Sequence, residues 1–141
     1  MSMTANREPR PAPEGWVLQD FKDGFAYEAG PFYFRAERAT PGVGFYSEPR
    51  HANLGGIVHG GALLTLADMA LFDICFRARG RFRAVTVTLT SEFLEAAPVG
   101  EFIEATGELV GGGKSILFAR GLVSANGRRL MSFSGTLKRL G

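Results

Sequence analysis

The sequence predicts an α+β fold, an antiparallel sheet wrapped around one long central helix. Two observations carry most of that reading. The run from Ala62 to Phe76, ALLTLADMALFDICF, is apolar on nearly every side, which marks a helix buried all round rather than an amphipathic surface helix. Such a helix must be wrapped by something else. Directly after it, Val85, Val87 and Leu89 alternate with Thr86, Thr88 and Thr90, the period of two expected of a strand.

The remaining elements follow in chain order. Residues 1–14 carry Pro9, Pro11 and Pro13 among charges and no apolar targeting stretch, so a disordered arm is expected ahead of a single domain over residues 15–141. Trp16 to Phe21 reads as a short helix or an extended lead-in. Pro31 to Ala36 reads as a first strand and Gly42 to Ser47 as a second, before the helix. Ala84 to Phe93, Phe102 to Val110, Ser115 to Ser124 and Arg129 to Lys138 complete the sheet. A Gly111-Gly112-Gly113 turn and the Asn126-Gly127 hairpin signal join the last three. No internal repeat is visible.

Composition bounds the function. A chain of 141 residues with 45% hydrophobic content makes one ordinary domain with a real core. Sixteen Lys and Arg against fourteen acids leave a net charge of +2 with no block of like charge, so nothing calls for nucleic acid. A small phosphorylated ligand stays compatible. The single cysteine, Cys75, excludes a disulfide framework and reads as a small core residue, which fits a cytoplasmic location. The helical run is too short and too marked by acids to span a bilayer, which needs roughly 20 apolar residues.

One residue inside the apolar helix is out of place. An ionised carboxylate such as Asp68 is costly to bury unless it is hydrogen-bonded or opens onto a cleft, and those are the conditions that make a general base. The competing reading is a structural Asp bonded to buried backbone. Gly60 and Gly61 weigh against it, because they fall at the N-terminus of the same helix. Unpaired N–H groups there attract negative charge, and glycines let a substrate carbonyl come close, the geometry of an oxyanion hole. Asp68 lies eight residues after Gly60, about two turns at roughly 3.6 residues per turn, so both face a similar direction.

Asn53, the six-residue step to His59, the pair Gly60-Gly61 and the segment Leu66-Ala67-Asp68-Met69-Ala70 resemble the signature of hotdog-fold acyl-CoA thioesterases, specifically the PaaI-like subgroup. The resemblance runs from about Pro31 to Arg139, and Asn-x5-His-Gly-Gly-x6-Asp is a fairly specific pattern. It implies hydrolysis of an acyl-CoA or related thioester with Asp68 as general base or nucleophile, Asn53 and Gly60 beside it and His59 in support. It also implies substrate contacts from Thr86, whose hydroxyl it places near the reaction centre, and from Gly61, with Gly112, Gly113, Lys114 and Ser115 against coenzyme A. No cofactor is implied, coenzyme A being part of the substrate. The resemblance further implies a homodimer or dimer of dimers, with Asn53 and Gly60 of one chain facing Asp68 of the other.

Other residues carry less. His59 either bonds the substrate carbonyl or holds the loop, and His51 has no such warrant. A metal site from His51, His59, Asp68 and Cys75 fails on spacing. Asp73, about 140° round the helix from Asp68, reads as structural. The basic alternation Arg77, Arg79, Arg81 and Arg83 reads as a loop able to attract phosphates. The twelve Phe suggest an apolar or aromatic acyl pocket. The rival functions are a non-catalytic acyl-CoA-binding sensor and a dehydratase or hydratase on the same fold.

Overall fold

The computed structural model describes residues 8–141. In chain order the elements are β1 (Trp16–Gln19), α1 (Gly24–Ala29), β2 (Phe32–Arg35), β3 (Val43–Tyr46), a 3-10 turn (Pro49–His51), α2 (Gly60–Arg79), β4 (Ala84–Phe93), β5 (Phe102–Gly112), β6 (Ile116–Ala125) and β7 (Arg128–Arg139). The seven strands form one sheet in the order β1-β2-β3-β5-β6-β7-β4, antiparallel at every pairing. Helix α2 packs against β3 to β7. This is the architecture expected from the apolar run and the alternating strands.

Helix α2 outruns its apolar core at both ends. Its N-cap is His59, whose ring accepts the Gly61 N–H, and its last turn carries Arg77 and Arg79, which suit the negative end of the helix dipole. Gly80, at φ 81°, closes it by donating its N–H to Phe76 O at 2.8 Å. Leu63, Leu66, Ala67, Ala70, Leu71, Ile74 and Cys75 are buried against the sheet. Leu64, Met69, Phe72 and Phe76 are only half-buried, so the helix is covered on one side and not all round. One sheet cannot reach the other face.

Strand β4 is an edge strand, bonded among the described residues to β7 alone. Its register slips between Thr86 and Thr88, a bulge that turns Thr86 towards the helix and leaves Val85 and Val87 exposed. The expected Asn126-Gly127 hairpin is present, with φ of 49° and 78° as a type I′ turn requires. Of the two readings of Trp16 to Phe21, the extended one holds for Trp16–Gln19, a strand paired with β2. Two expectations change. Gly111 and Gly112 belong to β5, so the turn falls on Gly113 to Ser115, closed by Gly113 N–H to Ile116 O at 3.0 Å. Of the arm expected to be disordered, residues 10–13 are held instead. Tyr33 and Tyr46 donate their hydroxyls to Arg10 O and Pro11 O, the Arg10 guanidinium lies 3.9 Å from the Tyr46 ring centroid, and Trp16 N–H donates to Pro13 O. Residues 1–7 lie outside the described residues.

Candidate active site

Asp68 is half-buried in the third turn of α2, and its Oδ1 accepts a 2.6 Å hydrogen bond from Thr86 Oγ1 of β4. The bulge after Thr86 aims that hydroxyl at the helix. A short bond from a hydroxyl to a carboxylate fixes the carboxyl rotamer and leaves the second oxygen to act on a ligand. Alternation along β4 does not say which residue meets Asp68, although the resemblance expects the Thr86 hydroxyl near the reaction centre. The fold brings them together.

The loop from Asn53 to His59 leads into the helix. Asn53 Oδ1 accepts Gly55 N–H at 2.8 Å and Ile57 N–H at 3.4 Å, an Asx turn that leaves Nδ2 without an acceptor among the described residues. His59 Nδ1 accepts Gly61 N–H at 2.8 Å. A ring nitrogen that accepts is unprotonated, so Nε2 carries the proton and remains a donor. The expectation for Gly61 therefore narrows. Its N–H is engaged by His59, whereas the N–H of Gly60, the first helical residue, has no acceptor among the described residues. Two open depressions meet at Ala52 and His59, one of about 540 Å³ along Asn53 to Gly55 and one of about 300 Å³ between α1 and the first turns of α2.

Within one chain these two halves do not meet. Eight residues of helix separate Gly60 from Asp68 by about 12 Å at 1.5 Å per residue, too far for one thioester carbonyl to touch both. At the other end of α2, Arg79 Nη2 donates to Gly112 O at 3.3 Å and Arg139 N–H to Ser115 O at 2.7 Å, which seats the Gly113–Ser115 turn beside the helix C-terminus. Lys114, Arg81, Arg83 and Lys138 gather there, and none joins an ion pair among the described residues. A Cβ at Gly113 would meet nothing within 4 Å, so space is open beside that turn.

The other polar residues have structural partners. Asp73 takes Gly42 N–H at 2.9 Å and Arg77 Nε at 2.9 Å, while Arg77 reaches Arg35 O, Glu37 O and Thr40 O and pins the β2–β3 turn to the helix. Burial pushes the Asp73 carboxyl up, against the downward pull of Arg77 and Gly42 N–H. Cys75 is buried and its thiol is pushed up to about 11 by desolvation. His51, given no role by the sequence, is 7% exposed with both ring nitrogens bonded, to Glu48 N–H and to Ala29 O. The signal for it was the Glu48-Pro49-Arg50-His51 run, a capping box with Pro at its start. Among the described residues no group of three or more His, Cys, Asp or Glu could hold a metal ion, and no helix is long and apolar enough to cross a membrane.

Comparison with known proteins bears on this geometry. The family model of the thioesterase superfamily matches residues 55–132. A Pseudomonas aeruginosa protein that carries an esterase name, PA0474, is 34% identical over 109 residues, covering 75% of this chain and 81% of its own length. Among solved structures, the Escherichia coli PaaI protein from the phenylacetic acid degradation operon superposes with a TM-score of 0.73 at 22% identity over 81% of this chain and 83% of its own. A hypothetical thioesterase of Streptococcus pneumoniae, solved with coenzyme A, superposes with a TM-score of 0.68 at 19% identity over 95% of each chain. These likenesses establish the hotdog fold.

Proposed function

Because the chain belongs to the thioesterase superfamily, we propose that it hydrolyses an acyl-CoA thioester to the free acid and coenzyme A, with Asp68 as general base or nucleophile. One observation carries the reading: a half-buried carboxylate, fixed by the Thr86 hydroxyl, on the uncovered side of a helix whose N-terminus offers an open N–H. Gly60 N–H polarises the thioester carbonyl, with His59 Nε2–H in support. Asp68 takes a proton from water as its oxygen adds to the carbonyl carbon, and the Asn53 amino group holds that water. The C–S bond then breaks and the thiolate recovers the proton from Asp68. Direct attack by Asp68 gives a mixed anhydride that water opens, with the same products.

Two subunits build each site in this proposal. The 12 Å between Gly60 and Asp68, the uncovered face of α2 and the exposed apolar edge β4 all favour a homodimer in which the loop of one chain faces Asp68 of the other. Pairing two such dimers would extend the same design to a tetramer. The nucleotide of coenzyme A lies at the basic end, with Lys114 on a phosphate and Gly112, Gly113 and Ser115 along the pantetheine. The streptococcal neighbour solved with coenzyme A supports that class of ligand. No cofactor enters the scheme, since coenzyme A arrives as part of the substrate. The unbridged, buried Cys75 is in keeping with work in the cytoplasm.

The test is a panel of aliphatic and aromatic acyl-CoA thioesters followed with a free-thiol reagent. Release of thiol by the purified protein supports the hydrolase. Tight binding across the panel without thiol release would put the non-catalytic acyl-CoA sensor in its place.

A further inference from the structure

We propose that His51 is a positioning residue for this site: its ring fastens the neck of the Asn53–His59 loop to α1 and β3, and so sets where His59 and Gly60 stand. The inference rests on the hydrolase reading above. The loop is closed at its base by His59 N–H to His51 O at 2.8 Å, by the Ala52–Val58 bridge and by Asn53 N–H to Ile57 O at 2.8 Å. Everything the loop carries therefore moves with the backbone of His51.

That backbone is held from the side-chain end. Nδ1 accepts Glu48 N–H at 2.9 Å, and Nε2 donates to Ala29 O at 2.7 Å, the single tautomer that serves both being neutral with its proton on Nε2. The ring also packs edge-on against Phe45 of β3, centroids 4.8 Å apart. Arg50, next in the chain, donates to Glu28 O and Gly30 O. Three successive carbonyls at the end of α1 thus accept from two successive side chains of the 3-10 turn, and the Arg50 guanidinium also suits the negative end of that helix. A neck tied to a strand, a turn and a helix has little freedom, and a displacement of about 1 Å at a catalytic group can reduce turnover about 100-fold.

Three variants separate positioning from mere structural support. His51→Asn retains an acceptor near Nδ1 but not the reach to Ala29. His51→Gln retains a donor near Nε2 but not the acceptor for Glu48. His51→Ala has neither. The readouts are kcat and KM on the best acyl-CoA of the panel, and amide hydrogen exchange of His59 and Asn53 against amides of the β6–β7 ladder.

His51→Ala is expected to lower kcat about 100-fold with KM nearly unchanged. His59 and Asn53 should exchange at least about tenfold faster, as loss of the two ring hydrogen bonds implies, while Leu117 and Val123 stay protected. The Asn and Gln variants should each recover part of both effects. Exchange that rises equally at every amide, or turnover within twofold of wild type in folded variants, overturns the proposal. If wild type itself released no thiol from any thioester, the hydrolase reading would fail, and the exchange pattern would still decide whether His51 sets the loop.

Discussion

Thr86→Val tests the coupling between the edge strand and the helix. The change replaces a hydroxyl by a methyl of similar size and leaves Asp68 Oδ1 without its 2.6 Å donor. Hydrogen bonds to charged groups contribute about 1.5–3 kcal/mol. If the bond holds Asp68 in the orientation that activates water, losing it should reduce kcat about 10- to 150-fold at about 1.4 kcal/mol per decade. KM should change little, because the Thr86 hydroxyl, expected to bind substrate, donates its proton to Asp68 Oδ1 instead. Thr86→Ser restores the hydroxyl and should recover most of the loss. The assay is thiol release at saturating acyl-CoA, with a thermal melt to establish that each variant is folded. A folded Thr86→Val enzyme with wild-type kcat would mean that the hydroxyl merely satisfies a half-buried carboxylate, and the reasoning from the bulge to catalysis would be wrong.

Asp68→Asn should keep the fold and bind acyl-CoA while losing about 10²- to 10⁴-fold in kcat, the contribution of a general base, and wild-type turnover by the purified variant would remove Asp68 from the mechanism. Lys114→Ala should raise KM for acyl-CoA about fivefold, from the loss of up to about 1 kcal/mol at an exposed charge, and leave a short thioester without the nucleotide unaffected. Equal effects on both substrates would place Lys114 elsewhere. Mixing the inactive variants Asn53→Ala and Asp68→Asn under subunit exchange should return about a quarter of wild-type activity, since about half the dimers are mixed and each has one intact site of two. No recovery, with exchange demonstrated by mass spectrometry, would leave each site within one chain. Cys75, its thiol pushed up from 9.0 to about 11, should resist alkylation at pH 8.5 in the native protein and react once unfolded. Because the folded value is the higher one, the stability linked to the neutral thiol is present below pH 9 and lost as pH rises through about 11. Rapid native labelling would contradict its burial.

The elements legible in the sequence are those whose burial pattern is local. The apolar run of α2 and the alternation of β4 announced themselves, and the Asn126-Gly127 turn follows from the positive φ that those residues tolerate. Helix α1 did not, because GFAYEA has neither amphipathic length nor a side-chain cap, and its end is fixed by Arg50 and His51 from 22 residues away. The same holds for the facing of β4. Alternation fixes two faces but not which one is inward, and a bulge after Thr86 settled that. The sequence predicts burial all round α2 and the structure leaves one face half-buried, for a related reason: periodicity reports that a face is apolar, not what covers it.

Within the site, Asp68 was legible as an acid in apolar surroundings and Gly60-Gly61 as a helix start, but the glycines have two explanations that sequence cannot separate. A Cβ at Gly60 would come within 3.1 Å of the Phe93 ring, and one at Gly61 within 3.1 Å of His59 Nδ1. Packing alone thus favours glycine at both positions, since a side chain would oblige the Phe93 or His59 ring to give by a few tenths of an ångström, whatever binds there. Packing does not require an open donor on Gly60, and it does not require a carboxylate two turns on, aligned by a hydroxyl from a strand with no second neighbour. In the proposed dimer those features would have a common rationale, because a second copy laid against β4 and the bare face of α2 would bring its Gly60 to this chain's Asp68. The catalytic centre would then belong to the pair, and a separation of about 12 Å within one chain is what such a shared site requires.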